Sequence, residues 1–215
     1  MNFSKETLRL YAVTDRSWLC GRTLEHDVEE VLKGGVTLLQ LREKQADTAS
    51  FVREALAMRQ ITARYQVPLI INDRVDVLLE SGADGVHIGQ GDGDASLIRR
   101  QIGPDKILGV SARTVEQARA AEKQGADYIG VGAVFGTSTK ADAQTISPAL
   151  LRQIAESVQI PVVAIGGISA RNILLLKGCK MAGVAVVSAL FAQKDPQAAA
   201  KDLLALSREI CENDK

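Results

Sequence analysis

The hydrophobic pattern of the chain consists of short runs rich in Val, Ile and Leu, without regular alternation of apolar and polar residues. Continuous apolar runs of this length are typical of parallel strands that are covered on both faces. There are eight such runs, and they span residues 8–14, 36–41, 68–72, 85–88, 106–111, 127–132, 161–167 and 183–188.

Helical signals lie between several of these runs. Thr114 and Gln117 have the spacing of a capping box, and Pro follows a capping side chain at Ser147 and at Asp195. Helical periodicity and these caps predict helices over residues 49–65, 114–124, 147–158 and 195–211.

One unit also recurs along the chain. A helix-ending Gly, an Ala-Asp pair and a strand follow one another at residues 81–89 and again at 124–132, with a weaker version at 179–188. Repetition of a helix–turn–strand unit predicts a β/α barrel. We therefore expect an α/β fold in which residues 1–215 form a single-domain (β/α)₈ TIM barrel, with a doubly wound parallel sheet as the alternative.

Composition narrows the class of ligand. The 26 basic and 26 acidic residues cancel, and only 4% of residues are aromatic, so neither nucleic acid nor a membrane is an expected partner. Cys20, Cys179 and Cys211 form no metal-binding or paired pattern, which indicates free thiols in a reducing compartment. No run reaches 18 apolar residues, and the expected location is the cytoplasm.

Polar residues follow the apolar runs, and in a β/α barrel the C-terminal ends of all strands meet at one rim. Gln40, Arg42 and Lys44 occupy alternate positions after the second run and so would share one face. The two cations suit a diphosphate, whereas the alternative is that they are solvated or pair with Glu43 and Asp47 at the surface.

Two carboxylates follow the third and fourth runs. Asp73 and Asp92 beside phosphate-binding groups predict a Mg²⁺ site, because Mg²⁺ prefers oxygen ligands and often bridges to substrate phosphates. The alternatives are that Asp73 caps a helix beginning near Arg74 and that Asp92 only shapes its loop. Asp94 is an equally placed rival for Asp92.

A second phosphate site is expected on the other side of the rim. Residues 136–140 supply hydroxyls and a lysine, Gly166 and Gly167 are expected just before a helix, and Ser188 is expected to begin the last helix. Of the two histidines, His87 is expected to be packed and hydrogen-bonded, and His26 to lie at the surface before a helix. No residue stands out as a general base.

Seven segments, taken together and in order, resemble the thiamine-phosphate synthase family. They are QLREK (40–44), INDRVDV (71–77), ADGVHIGQGD (83–92), LGVSA (108–112), GVGAVFGTSTK (130–140), VAIGGI (163–168) and VVSA (186–189). The resemblance implies a transferase with a TIM-barrel fold. Its members condense 4-amino-2-methyl-5-(diphosphooxymethyl)pyrimidine with 4-methyl-5-(2-phosphooxyethyl)thiazole, or the carboxylated form of that thiazole, in a dissociative reaction that releases pyrophosphate.

The resemblance also implies roles for individual residues. Those implied to bind the pyrimidine diphosphate are Gln40, Leu41, Arg42, Glu43, Lys44, Asn72, Ser111 and Lys140, and the catalytic subset is Arg42, Lys44, Ser111 and Lys140. Asp73 and Asp92 are implied to hold Mg²⁺. Those implied to bind the thiazole phosphate are Thr137, Ser138, Thr139, Gly167, Val187 and Ser188.

The sequence departs from the family pattern at two places and leaves two other functions open. Arg113 stands where relatives often carry His, and CKMAG (179–183) replaces the usual Gly-Ala-Asp unit. A thiazole-phosphate tautomerase of the same barrel family would rely on a histidine near Arg113, and a non-catalytic sensor of thiamine intermediates would show a damaged clamp. The oligomeric state is also open, with a homodimer as one alternative.

Overall fold

The computed structural model describes residues 3–19, 21–136 and 145–212 and contains one closed barrel of eight parallel strands in chain order. This confirms the predicted TIM barrel and excludes an open doubly wound sheet. The strands are β1 (Leu10–Val13), β2 (Leu38–Leu41), β3 (Leu69–Asn72), β4 (Gly85–Ile88), β5 (Ile107–Ala112), β6 (Tyr128–Gly132), β7 (Val162–Ile165) and β8 (Gly183–Val186).

Helices surround the barrel within the described ranges. They are α1 (Leu24–Lys33), α2 (Thr48–Arg64), α3 (Val75–Ser81), α4 (Ala95–Ile102), α5 (Val115–Lys123), α6 (Pro148–Glu156), α7 (Ser188–Phe191) and α8 (Pro196–Glu212). The four predicted helices correspond to α2, α5, α6 and α8 within two residues at each end. Between β7 and β8 the chain forms a 3-10 helix at Ile173–Leu176.

The recurring Gly-Ala-Asp unit has the same structural role at both of its full copies. Gly82 ends α3 with a left-handed φ of 66°, and Gly125 follows α5 with a φ of 91°. The Asp84 carboxylate then accepts a hydrogen bond from the N–H of Leu69 at 2.8 Å, and Asp127 accepts one from Leu108 at 2.7 Å. Each aspartate therefore ties a helix–strand turn to the start of the preceding strand.

Two apolar cores follow from the alternation of side chains along the strands. Leu39 and Leu41 of β2 point outward into the core between barrel and helices. Leu38 points into the barrel, where it packs in a cluster with Tyr11 and Tyr128. Gln40 and Arg42 continue the inward series toward the C-terminal rim. No helix in the described part of the chain is both long and apolar enough to cross a membrane.

Candidate active site

A cavity of about 260 Å³ opens at the C-terminal ends of the strands. Seven of the residues predicted for the two substrate sites line it, and they come from five different strands or the loops after them. They are Gln40, Arg42, Asn72, Ser111, Gly167, Val187 and Ser188. Positions up to 148 residues apart in sequence, as between Gln40 and Ser188, therefore meet at one site.

The remaining residues of the QLREK segment lie elsewhere. The Leu41 side chain is fully buried in the outer core, so only its backbone is available to a ligand. Glu43 and Lys44 line a neighbouring hollow of about 330 Å³, which Arg42 also lines. Because β2 ends at Leu41, the alternation that brings Gln40 and Arg42 inward does not extend to Lys44.

The predicted surface ion pairs of Arg42 and Lys44 with Glu43 and Asp47 are wrong, because both acidic residues have other partners. Glu43 accepts a hydrogen bond from Nε of Arg16 at 2.8 Å. Asp47 is the N-cap of α2 and accepts from the N–H of Ser50 at 2.9 Å. Arg42 lies 3.4 Å from a carboxylate oxygen of Asp15, so its guanidinium is oriented at the rim by a different acid.

Asp73 has an uncommon backbone conformation for a residue other than glycine. Its φ is +63°, a left-handed conformation that is uncommon for residues other than Gly and that is enriched in Asp and Asn. Its N–H donates to the carbonyl of His87 at 2.8 Å, and its Oδ2 accepts from Nδ2 of Asn72 at 2.5 Å. Arg74 rather than Asp73 is the N-cap residue of α3, and the Arg74 side chain makes no capping hydrogen bond, so Asp73 does not occupy the cap position of that helix.

The other two carboxylates of the predicted metal region have different partners. Oδ2 of Asp92 accepts from the N–H of Gly89 at 2.7 Å and thus shapes the loop after β4, as the structural alternative predicted. Asp94 is the N-cap of α4 and accepts from the N–H groups of Ser96 and Leu97 at 2.7 and 3.3 Å. Its capping role distinguishes it from Asp92.

The donor set fits a divalent ion that is shared with a substrate. Within the described ranges, no group of three or more His, Cys, Asp or Glu side chains could hold a metal. Asp73 and Asp92 follow the paired strands β3 and β4, and both are exposed. Mg²⁺ typically binds one or two carboxylates and completes its shell with water and phosphate oxygens, which matches this arrangement.

A chain of hydrogen bonds crosses the polar floor of the cavity. Nε2 of Gln40 donates to the hydroxyl of Tyr11 at 2.5 Å, and the Tyr11 and Tyr128 hydroxyls lie 2.9 Å apart. The Tyr128 hydroxyl is 2.9 Å from Nδ1 of His87, and Nε2 of His87 is 2.9 Å from Oγ of Ser111. The prediction of a hydrogen-bonded His87 is confirmed.

Two glycines on the inner face of the barrel make room for this chain. A Cβ on Gly109 would lie 2.2 Å from Cζ of Tyr128, and a Cβ on Gly130 would lie 2.9 Å from Cε1 of His87. Burial raises the pKa of both Tyr11 and Tyr128, so both hydroxyls keep their protons.

The Gly-Gly segment is arranged differently from the expectation. Gly166 and Gly167 have φ values of 103° and 63°, but the next helical turn begins only at Ile173. The N–H groups of Gly167 and Ile168 donate to no other described residue, while Nδ2 of Asn172 donates to the carbonyl of Gly167 at 2.9 Å. A phosphate bound here would meet loop amides rather than a helix terminus.

Ser188 begins the four-residue helix α7, and the last helix is α8. The prediction of a helix start at Ser188 is therefore correct, but the helix is an additional short one. His26 is exposed, as predicted, although it lies in the first turn of α1 rather than before it. Cys179 and Cys211 are free thiols. Thr137, Ser138, Thr139, Lys140 and Cys20 lie outside the described residues.

The two buried tyrosines were not predicted from the sequence. Tyr11 and Tyr128 both occupy inward positions, since Tyr11 pairs with Leu38 across β1 and β2 and Tyr128 precedes Gly130 and Gly132 at alternate positions of β6. The sequence did carry one signal for them. In a chain with few aromatic residues, each tyrosine occupies a strand position whose side chain points into the barrel, and its hydroxyl needs a partner there. Arg113, noted only as a departure, also lines the cavity.

Comparisons with known proteins agree with this geometry. The family model described as thiamine monophosphate synthase matches residues 10–190. The thiamine-phosphate synthases of Ruminiclostridium cellulolyticum and Clostridium tetani are 53% and 48% identical over 201 and 200 residues, covering 94% and 93% of this chain and 96% of each relative. Thiamine phosphate pyrophosphorylase from Pyrococcus furiosus superposes with a TM-score of 0.88 at 39% identity, covering 96% of this chain and 98% of that one. The chain belongs to the thiamine monophosphate synthase family.

Proposed function

We propose that the protein is a thiamine-phosphate synthase. In this reaction the pyrimidine methyl diphosphate and the thiazole phosphate condense to thiamine monophosphate, and pyrophosphate is released. The observation that carries the proposal is that one cavity is lined by residues assigned to both substrates, including Gln40 and Arg42 on one side and Gly167 and Ser188 on the other. Relatives about 50% identical over nearly the whole chain bear the name of this activity.

The pyrimidine diphosphate is proposed to bind across the cavity and the adjoining hollow. Gln40 and Asn72 offer amide groups to the ring, and Ser111 offers a hydroxyl. Arg42 lines both spaces and can follow the diphosphate from one to the other, toward Lys44. The planar guanidinium suits bidentate contact with phosphate oxygens.

Catalysis is proposed to depend on stabilising the departing pyrophosphate. In a dissociative reaction the carbon–oxygen bond breaks first, negative charge accumulates on the leaving group, and the thiazole nitrogen then captures the pyrimidine cation. Positioned cations lower the energy of that charge separation. Arg42 and Lys44, together with Lys140 from outside the described residues, would supply this charge, and Ser111 would supply a hydrogen bond. This mechanism needs no protein nucleophile, in keeping with a His87 whose two ring nitrogens already have protein partners.

Asp73 and Asp92 are the residues proposed to hold Mg²⁺. When bound, the ion would neutralise charge on the diphosphate oxygens. The left-handed backbone of Asp73 supports this role, since an uncommon conformation is maintained at an exposed position of the rim.

The thiazole phosphate is proposed to bind at the opposite side of the cavity. The loop amides of Gly167 and Ile168 and the backbone and hydroxyl of Ser188 provide donors there, beside Val187. Thr137, Ser138 and Thr139 are proposed to complete this site on the strength of the family resemblance.

A cytoplasmic location is proposed from the sequence, in which the three cysteines form no paired or metal-binding pattern. The natural partners are proposed to be these small-molecule substrates, and a homodimer is a further prediction made from the sequence alone.

Incubation of the purified protein with both substrates and Mg²⁺ tests the proposed activity. We expect stoichiometric thiamine monophosphate and pyrophosphate. A tautomerase would convert a thiazole phosphate isomer without consuming the pyrimidine, and a sensor would bind both ligands without turnover. Either outcome would refute the synthase assignment. Arg113 at the position of the tautomerase histidine favours the synthase.

A further inference from the structure

We propose that Tyr11, Tyr128 and His87 are positioning residues that fix the hydrogen-bond directions of Gln40 and Ser111 at the pyrimidine end of the cavity. The inference deepens the proposed function and rests on it for the identity of the ligand. The structural part of the inference, which is the direction of each hydrogen bond, holds for the unliganded protein and can be tested there.

The donor and acceptor roles in this series of hydrogen bonds are fixed first at Gln40. The amide nitrogen Nε2 can only donate, and it faces the hydroxyl oxygen of Tyr11 at 2.5 Å. Because Nε2 is anchored at Tyr11, the amide oxygen Oε1 is the acceptor that Gln40 can offer to a ligand, beside the second N–H of the amide. Gln40 is 5% exposed, so its orientation is fixed by this bond and by packing rather than by solvent.

The two tyrosine hydroxyls continue the same donor-to-acceptor order along this series of hydrogen bonds. Each neutral hydroxyl has one proton to donate. If Tyr128 donated to Tyr11, the buried proton of Tyr11 would have no acceptor among the described residues, whereas an unsatisfied buried donor is costly. Tyr11 therefore donates to Tyr128, and Tyr128 donates to Nδ1 of His87.

His87 then has a defined tautomer. Because Nδ1 accepts from Tyr128, the ring proton lies on Nε2, which donates to Oγ of Ser111 at 2.9 Å. The carbonyl of Ser111 accepts from Nε2 of Gln90 at 2.7 Å, so the backbone of this residue is held as well. With its oxygen engaged by His87, the Ser111 hydroxyl is left to donate its own proton into the cavity.

The chain thus presents an acceptor at one end and a donor at the other. Oε1 of Gln40 suits an amino group on a heteroaromatic ring, and the Ser111 hydroxyl suits an anionic oxygen on its phosphorylated arm. A ring with a carbonyl in place of the amino group would leave Oε1 opposite another acceptor. The proposed series of hydrogen bonds therefore selects an aminopyrimidine over an oxopyrimidine, with Tyr11 and Tyr128 acting through Gln40 and Ser111.

Nitrogen-15 NMR of the histidine side chains tests the direction without any turnover. The protein has only two histidines, and a His26→Asn variant assigns their signals. In the neutral form we expect His87 to be the Nε2–H tautomer. Tyr128→Phe should yield a mixture of tautomers, while Tyr65→Phe should change nothing, since the Tyr65 hydroxyl donates to Glu29 outside the barrel. An Nδ1–H tautomer in the unmodified protein would mean that the chain runs in the opposite direction and would overturn the proposal.

Steady-state kinetics test the consequence for the substrate. Tyr128→Phe and Tyr11→Phe should each raise KM for the pyrimidine diphosphate by about tenfold, the factor that corresponds to about 1.4 kcal/mol, and leave KM for the thiazole phosphate unchanged. Tyr65→Phe should leave both unchanged.

Two substitutions at His87 separate positioning from proton transfer. His87→Gln places an amide donor where Nε2 lies and should keep most of the activity, whereas His87→Leu should not. Equal loss in both variants would overturn the positioning role. Because the NMR result does not depend on catalysis, a wrong hydrogen-bond direction can be told apart from a wrong enzymatic assignment.

Discussion

Replacing Gly109 with Ala tests whether the floor of the cavity is packed as tightly as the structure indicates. The added Cβ would lie 2.2 Å from Cζ of Tyr128, 2.3 Å from its hydroxyl oxygen and 2.5 Å from Nδ1 of His87. Favourable carbon contacts need about 3.5–4.0 Å. Tyr128 is fully buried, so its ring cannot swing away without moving β5 or β6.

The expected destabilisation can be assembled from its parts. Overpacking of this kind typically costs about 1–3 kcal/mol, and loss of the bond between Tyr128 and His87 adds about 1 kcal/mol. Reduced entropy of the unfolded chain on changing Gly to Ala returns about 0.4–1 kcal/mol. We expect a net loss of about 1–3.5 kcal/mol, which corresponds to a fall of roughly 2–14 °C in Tm for a chain of this size.

Urea and thermal unfolding of three glycine-to-alanine variants measure this loss of stability. Gly130→Ala should be less affected, because its Cβ would come no closer than 2.9 Å to a ring atom of His87. Gly91→Ala is the control, since no atom lies within 4 Å of its Cβ and its φ is not left-handed. If Gly109→Ala were as stable as Gly91→Ala, the packing of Tyr128 and His87 against β5 would be wrong.

Three further predictions concern the rim and its charges. Asp73→Asn should keep the fold, because Asn tolerates a φ of +63°, but should lose Mg²⁺ dependence of the rate; unchanged metal titration would exclude Asp73 as a ligand. Lys140→Ala should reduce kcat far more than it weakens thiazole phosphate binding, and an unaltered rate would remove Lys140 from leaving-group stabilisation. Hydrogen bonds from the Ser96 hydroxyl and then from the N–H groups of Ser96 and Leu97 hold the pKa of Asp94 below its ordinary 3.8, so its stabilisation is present above that pH and lost as pH falls through the folded pKa. Asp94→Ser should therefore flatten the acid side of the stability–pH curve, and a curve of unchanged slope would contradict this.

Much of the fold could be predicted because a barrel of parallel strands has a strong sequence signature. Each strand is an apolar run, and Gly-Ala-Asp units mark the start of β4 and β6. Only the starts of the short helices α3 and α7 could be expected from the sequence, since seven and four residues carry too little periodicity to define a range. The 3-10 helix after β7 was expected as a regular helix because Gly-Gly commonly precedes one, whereas here left-handed glycines lead into a loop.

The candidate site could be predicted where the alternation of side chains along a strand alone determines which way a side chain points. Gln40, Asn72 and Ser111 are inward positions at the ends of their strands, and all three line the cavity. Lys44 could not be placed this way, because the chain leaves the strand after Leu41 and parity no longer applies. The hydrogen bond between Tyr11 and Tyr128 joins residues 117 positions apart, and no local pattern encodes such a contact.

The central claim is that strand ends from around the barrel form one mouth where two anionic substrates bind and pyrophosphate leaves. A crystal structure of the protein with Mg²⁺, pyrophosphate and thiamine monophosphate tests it most directly. We predict that pyrophosphate lies against Arg42 and Ser111 with the ion at Asp73 and Asp92, and that the phosphate of the product lies at Gly167 and Ser188. Products bound away from this cavity, or an ion bound without either aspartate, would contradict the account.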